Sequence, residues 1–146
     1  MAEFLLFFLG SALGSFLHVL ASRYDPERFI LTRETLGGRS YCPGCRKTLV
    51  WYELIPLVSF LIQFGKCRSC GAKISWSYFF VELASGLIVL FAPPVWAAVF
   101  LILLLITLID IRLQMIPDEL SAILVALGIW TTSMSGFGAA VWMNHL

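Results

Sequence analysis

The sequence predicts an all-α membrane protein with about four transmembrane helices and a cytoplasmic four-cysteine lobe resembling a zinc ribbon. Three observations predict it. Hydrophobic residues make up 60% of the 146, and the mean hydropathy is +0.89. A soluble domain of this length has no interior large enough for that apolar content. The net charge is only +1, but nine of the ten Lys and Arg residues lie between Arg23 and Lys73. All four cysteines fall in the same stretch, as Cys42-Pro43-Gly44-Cys45 and Cys67-Arg68-Ser69-Cys70.

The cysteines form two C-x2-C pairs separated by 21 residues. Two thiolate pairs at this spacing can close a tetrahedron on one soft divalent ion, most often zinc. Four thiolate ligands leave no open coordination position, so the expected role is structural. Two disulfides and a redox dithiol are the alternative readings. A cytosolic position argues against disulfides. Two pairs set among Arg46, Lys47, Lys66 and Arg68 argue against a redox couple.

Membrane helices are expected at about residues 4–21, 76–92, 95–109 and 120–136, each near the length that spans hydrocarbon. The positive-inside rule puts the cysteine loop and the Arg112 loop in the cytoplasm. The N-terminus, the Pro93-Pro94 turn and the C-terminus then lie outside. The first helix lacks the basic start of a signal peptide and carries Glu3, so it reads as an uncleaved anchor. Gly10, Ser11, Gly14 and Ser15 share one of its faces and suit close packing on another helix. His18, one turn on, reads as a hydrogen-bonded interfacial residue rather than a ligand.

This divides the chain into a first helix (1–21), a cytoplasmic metal-binding lobe (22–75) and a membrane portion (76–146). Residues 24–40 read as a polar linker. Between the knuckles, residues 51–64 are almost wholly apolar and are expected to form a helix lying in the membrane interface. Glu82 lies about two turns inside the second membrane helix, a costly place for an acid; it reads equally as a functional group or as a buried structural acid, with Arg23 as a candidate partner. Asp118 suits the N-cap or first turn of the fourth helix. Asp110 closes the third helix at its C-terminus, where the helix dipole disfavours an acid, and that local cost suggests a use.

One family shares these features in this order. Gly14-Ser15-Phe16-Leu17, the two C-x2-C pairs, Trp51-Tyr52-Glu53-Leu54-Ile55-Pro56, Gly65-Lys66, Ile74-Ser75 with Val81-Glu82, and Asp110 to Asp118 with Ile-Pro-Asp resemble the type IV prepilin peptidases. The resemblance runs over nearly the whole chain. It implies a multi-pass protein of the bacterial inner membrane. It also implies an intramembrane aspartic peptidase that cuts the leader from prepilins and pseudopilins of type IV pili and type II secretion at the cytoplasmic face. The same enzyme then methylates the new N-terminal amine from S-adenosylmethionine.

Two aspartates carry the cleavage in that family, one activating water while the other holds a proton. The first maps to Asp110, with Asp118 as a weaker candidate. The second belongs to a Gly-x-Gly-Asp motif. Here Gly136-Phe137-Gly138 is followed by Ala139, so the chain is expected to be a fragment, a truncated product or half of a split enzyme. Gly65, Lys66, Glu53 and Glu82 are the expected donor-binding residues, since no glycine-rich nucleotide loop is present. The partners implied are prepilins, membrane lipid and further copies of the chain, with no nucleic acid. The alternative is a non-catalytic zinc-binding membrane module for pilus or secretion assembly.

Overall fold

The structure, a computed structural model, describes residues 1–27 and 37–143, with side-chain surroundings as far as Thr131. Five α-helices lie among the described residues: α1 (Ala2–Arg23), α2 (Val58–Ile62), α3 (Trp76–Phe91), α4 (Pro94–Leu113) and α5 (Asp118–Met143). A 3-10 turn covers Trp51–Leu54. No strand forms among them, only the isolated bridges Tyr41–Thr48 and Lys66–Lys73.

Among the described residues two helices, α1 and α4, are long and apolar enough to cross a membrane. At 1.5 Å per residue each reaches roughly the 30 Å of a hydrocarbon core. Helix α3 is equally apolar but has 16 residues, and by the same rise it spans only about 24 Å. The expected helix at 95–109 runs four residues further. Asp110 therefore sits in the last turn of α4, which ends at Gln114 in a left-handed conformation (φ 54°). Helix α5 likewise continues through Gly136-Phe137-Gly138, where the apolar pattern suggested an end. Most of the expected linker, residues 28–36, lies outside the described residues.

Helices α1 and α3 pack at backbone distance. A Cβ on Gly14 would stand 1.8 Å from Ser85 Oγ, and one on Gly10 would stand 2.7 Å from the Ser85 carbonyl oxygen. Ser11 and Ser85 are fully buried in the seam. The small-residue face read from the sequence is thus the contact face, and only residues without bulk permit that approach. Beyond this seam, at the C-terminal end of α1, helices α1, α4 and α5 meet in a core of Leu20, Ala21, Tyr24, Leu105, Ile109 and Leu120.

Proline divides the segment between the knuckles. Pro56 holds Ile55 extended (φ −66°, ψ 116°), so the one interfacial helix expected over 51–64 is instead the 3-10 turn, a tight reversal and the five-residue α2. Phe60 of α2 packs on Trp76 and Phe79 of α3, at ring-centroid distances of 5.0 and 5.5 Å. This places the cysteine lobe against the first turn of α3.

Candidate metal centre and the acids around it

The two knuckles are built alike. In each, the amide after the second cysteine returns to the carbonyl of the first: Arg46 to Cys42 at 2.8 Å and Gly71 to Cys67 at 2.9 Å. Both amides belong to residues with positive φ (Arg46 56°, Gly71 70°). Gly44 lies inside the first knuckle. Its actual requirement is space, because a Cβ there would stand 2.9 Å from the Ala72 Cβ and 3.4 Å from Cys70 Sγ.

The four sulfurs converge within 4.8 Å of one another. Cys42 and Cys70 are 3.8 Å apart, and Cys45 and Cys67 are 4.0 Å apart. A tetrahedron with metal–sulfur bonds of ~2.3 Å has edges of about 3.8 Å, so the thiol set fits one divalent ion. The Cys70 and Ser69 amides, which point at Cys67, bring its thiol down to about 6. Cys70 receives the Ala72 amide, but burial and the neighbouring thiols outweigh it and push Cys70 up to about 11. A cation bound by the cluster would take its ligands as thiolates, so binding would release protons.

Glu53 lies against the first knuckle. Its Oε2 accepts the Val50 amide at 3.0 Å, and its Oε1 accepts from Lys47 Nζ at 3.4 Å. The Val50 amide first, then Lys47, holds this carboxyl below the usual range. Arg68 stands over the ring of Tyr52 at 5.6 Å, which joins the second knuckle to the same 3-10 turn.

Glu82 is buried in α3 and its Oε2 accepts the Leu57 amide at 2.8 Å. Ser15 of α1 is its other partner. Arg23, the partner expected from the sequence, reaches the Gly37 carbonyl. Leu57 is itself unusual, with φ 61° and ψ −50°. The Val58 amide returns to the Pro56 carbonyl at 2.6 Å, which makes Leu57 the centre of a γ-turn in its rare, strained form. The acid from the helix bundle thus holds the strained point of the lobe. No local pattern marks Leu57; its tie is tertiary.

The acids of the sequence reading occupy separate places. Neither Glu53 nor Glu82 bonds to Lys66 among the described residues. Gly65 accepts the Ile74 amide and packs on the Phe60 ring, and the Lys66 side chain is exposed. A recess of about 270 Å³ lies between α1 and the 3-10 turn, lined by Ser15, Phe16, Val19, Arg23, Leu54 and Pro56 among others.

Asp110 is exposed, directly after the fully buried Ile109. Asp118, also exposed, opens α5. No hydrogen bond joins the two among the described residues. Tyr24 is held above its usual range by burial first and then by Glu119, Asp118 and Asp25, which places Asp118 near the end of α1. Arg112 was missed in the sequence as a functional group. Its guanidinium donates to the Ala21 carbonyl at 2.9 Å and to that of Ser22, capping α1. His18 bonds Ser77 Oγ at 3.0 Å and stacks on Tyr78, the interfacial role expected of it.

A family model described as "Bacterial Peptidase A24 N-terminal domain" matches residues 8–96. A prepilin leader peptidase/N-methyltransferase of Bacillus subtilis is 38% identical over 125 residues, which cover 80% of this chain and 48% of that protein. The protein of that name in Myxococcus xanthus is 45% identical over 83 residues, covering 57% of this chain and 23% of its own length. That of Vibrio cholerae is 36% identical over 124 residues, covering 75% and 48%. The chain thus spans about half the length, or less, of these curated relatives. No solved structure matches it.

Proposed function

Because this chain belongs to the prepilin leader peptidase/N-methyltransferase family and carries its N-terminal domain, we propose that it forms the cytoplasmic-face half of a multi-pass membrane enzyme. That enzyme removes the leader from type IV prepilins and methylates the new N-terminus. In this reading α1, α3, α4 and α5 cross the membrane, the bilayer thinning around the shorter α3, and the basic residues of the cysteine lobe and the Arg112 loop lie in the cytoplasm.

The observation that carries the peptidase reading is the place of Asp110. Its carboxylate is exposed on the last turn of an otherwise apolar helix, and the buried Ile109 beside it fixes its height at the bundle end. A scissile bond at the top of a substrate's hydrophobic helix comes within reach there. One carboxylate must take a proton from water while another holds one, so Asp110 requires a second acid. Asp118 is the weaker candidate for it.

The four thiolates hold one structural zinc, which closes the lobe without an open position for chemistry. The recess between α1 and the 3-10 turn is the proposed place of S-adenosylmethionine. Its residues fit that group: Phe16, Val19, Leu54 and Pro56 would offer apolar walls, with Arg23 and Ser15, bonded to the Gly37 carbonyl and to Glu82, at its polar edge. The bound donor would supply an electrophilic methyl group. Glu53 and Glu82 serve the recess from behind, by holding Val50 and Leu57 on either side of Leu54 and Pro56.

The test is cleavage of a prepilin in membranes by the chain alone, and by the chain joined to the remaining half of the Bacillus subtilis relative, each with and without Asp110→Asn. Cleavage by the joined protein that falls at least 10³-fold with Asp110→Asn supports the proposal. Cleavage that survives Asp110→Asn overturns it.

A further inference from the structure

The lobe presents an apolar face that nothing in the described chain covers. Leu61, Ile62 and Phe64 are 57%, 58% and 87% exposed. Phe64 is held outward by an unfavourable backbone (φ 51°), followed by Gly65 at φ 65°. A bulky residue in that conformation carries strain. The face does not stop at the lobe. Phe60 packs on Trp76, and Trp76 and Phe80 continue the exposed apolar surface onto α3 at 61% and 59% exposure. In a helix that enters a bilayer, those aromatic rings lie at headgroup depth. Leu61, Ile62 and Phe64 then lie at the same depth.

The charges beside this face carry a second, independent signal. Lys66 and Lys73 are bridge partners. The flanking amides of Cys67 and Ile74 bond to Ala72 and Gly65, so the lysines form a non-hydrogen-bonded pair whose side chains leave the same side at close range. Like charges directly opposite are destabilising. Among the described residues neither lysine meets a carboxylate, and Glu53, the acid between the two knuckles, is taken by Lys47 and Val50. The pair is in sequence contact with the apolar face, following Phe64 and preceding Trp76. Two ammonium groups without a carboxylate partner among the described residues, beside a strip of exposed aromatics, match one chemistry, a phosphate on an acyl-chain body.

We propose that Leu61, Ile62, Phe64, Trp76 and Phe80 form one lipid-seated face, and that the Lys66–Lys73 pair binds the headgroup phosphate of an anionic phospholipid. This makes the metal lobe a membrane-bound element in its own right. The inference rests on the proposed membrane crossing of α3 and not on the peptidase or methyltransferase reading.

The test uses the full chain, with p-benzoylphenylalanine in place of Phe64, in nanodiscs mixing phosphatidylcholine with phosphatidylglycerol. Photocrosslinked adducts are identified by mass, and bound zinc is measured in each preparation. The same probe at Leu103 of α4 reports general lipid contact. The expected result is phospholipid adducts at position 64, with phosphatidylglycerol over-represented against its share of the disc. Each lysine contributes roughly a five-fold preference at an anionic surface. Lys66→Gln with Lys73→Gln should return the adducts to the disc composition while lipid contact and zinc content persist. Adducts to protein at position 64, or none while Leu103 is labelled, would overturn the lipid seat. A phosphatidylglycerol excess that ignores both lysines, or never arises, would overturn the headgroup site.

Discussion

Replacing Glu82 with Ala removes the acceptor of the Leu57 amide and leaves that N–H buried beside a strained γ-turn. A hydrogen bond to a charged group is worth about 1.5–3 kcal/mol, and an orphaned buried donor costs about 1–3 kcal/mol. These are two views of one loss, so about 2–3 kcal/mol is the expected cost to the turn. It should act locally, as easier opening of the segment from Leu57 to Gly65. At 1.36 kcal/mol per tenfold, amide exchange there should quicken roughly 30- to 150-fold. Hydrogen exchange with mass readout, on the chain in nanodiscs, measures it peptide by peptide. Glu82→Gln keeps a carbonyl acceptor and should lose less than about 1 kcal/mol. Unchanged exchange in Glu82→Ala would refute the reasoning. A Glu82→Gln variant as loose as Glu82→Ala would show that charge, not the acceptor, holds the turn.

The remaining predictions concern the helix seam and the lobe. Gly14→Ala places a methyl 1.8 Å from Ser85 Oγ, so it should cost about 1–3 kcal/mol of thermal stability in detergent, and Ser85→Gly should restore part of it. A Gly14→Ala protein that melts like the parent would remove that contact from the fold. Cys45→Ser should abolish stoichiometric zinc, measured by atomic absorption, while leaving α1 and α4 helical by circular dichroism. Retained zinc would point to a ligand set other than the four thiols. Glu53 is held below its usual 4.5, so its tie to Val50 is complete above that pH and is lost as pH falls through the lower folded value. Near-ultraviolet circular dichroism of the Trp51–Tyr52 pair should show an acid transition there that Glu53→Gln lacks; identical curves would sink the idea.

Much of the architecture was legible because it rests on local pattern. Apolar runs located α1, α3 and α4 within a few residues, since helix length and hydropathy are properties of the segment itself. The Gly10–Ser15 face was legible because helical spacing puts those residues on one side. The C-x2-C pairs announced their own convergence. Other features depended on partners distant in the chain. The pairing of Glu82 with Leu57, and of Arg112 with the end of α1, joins residues 25 and 91 positions apart. The broken insert could have been read from Pro56, which forces its predecessor out of the helical region, but a long apolar run outweighed that signal. The overrun of α4 past Asp110 was hidden because Ile111 and Leu113 continue the helix beyond the acid.

The capping of α1 by Arg112 also sets an order of events during synthesis. The Ala21 and Ser22 carbonyls emerge from the ribosome some 90 residues ahead of the side chain that serves them. The thiol set is complete at Cys70, before α3 exists. A nascent chain can therefore close its lobe on an ion first, with the end of the first helix still bonded to solvent. The arrival of Arg112 later exchanges that water for a guanidinium. The end of the first helix therefore gains its cap only after the lobe has been made, and Asp110 emerges two residues ahead of the arginine that supplies it.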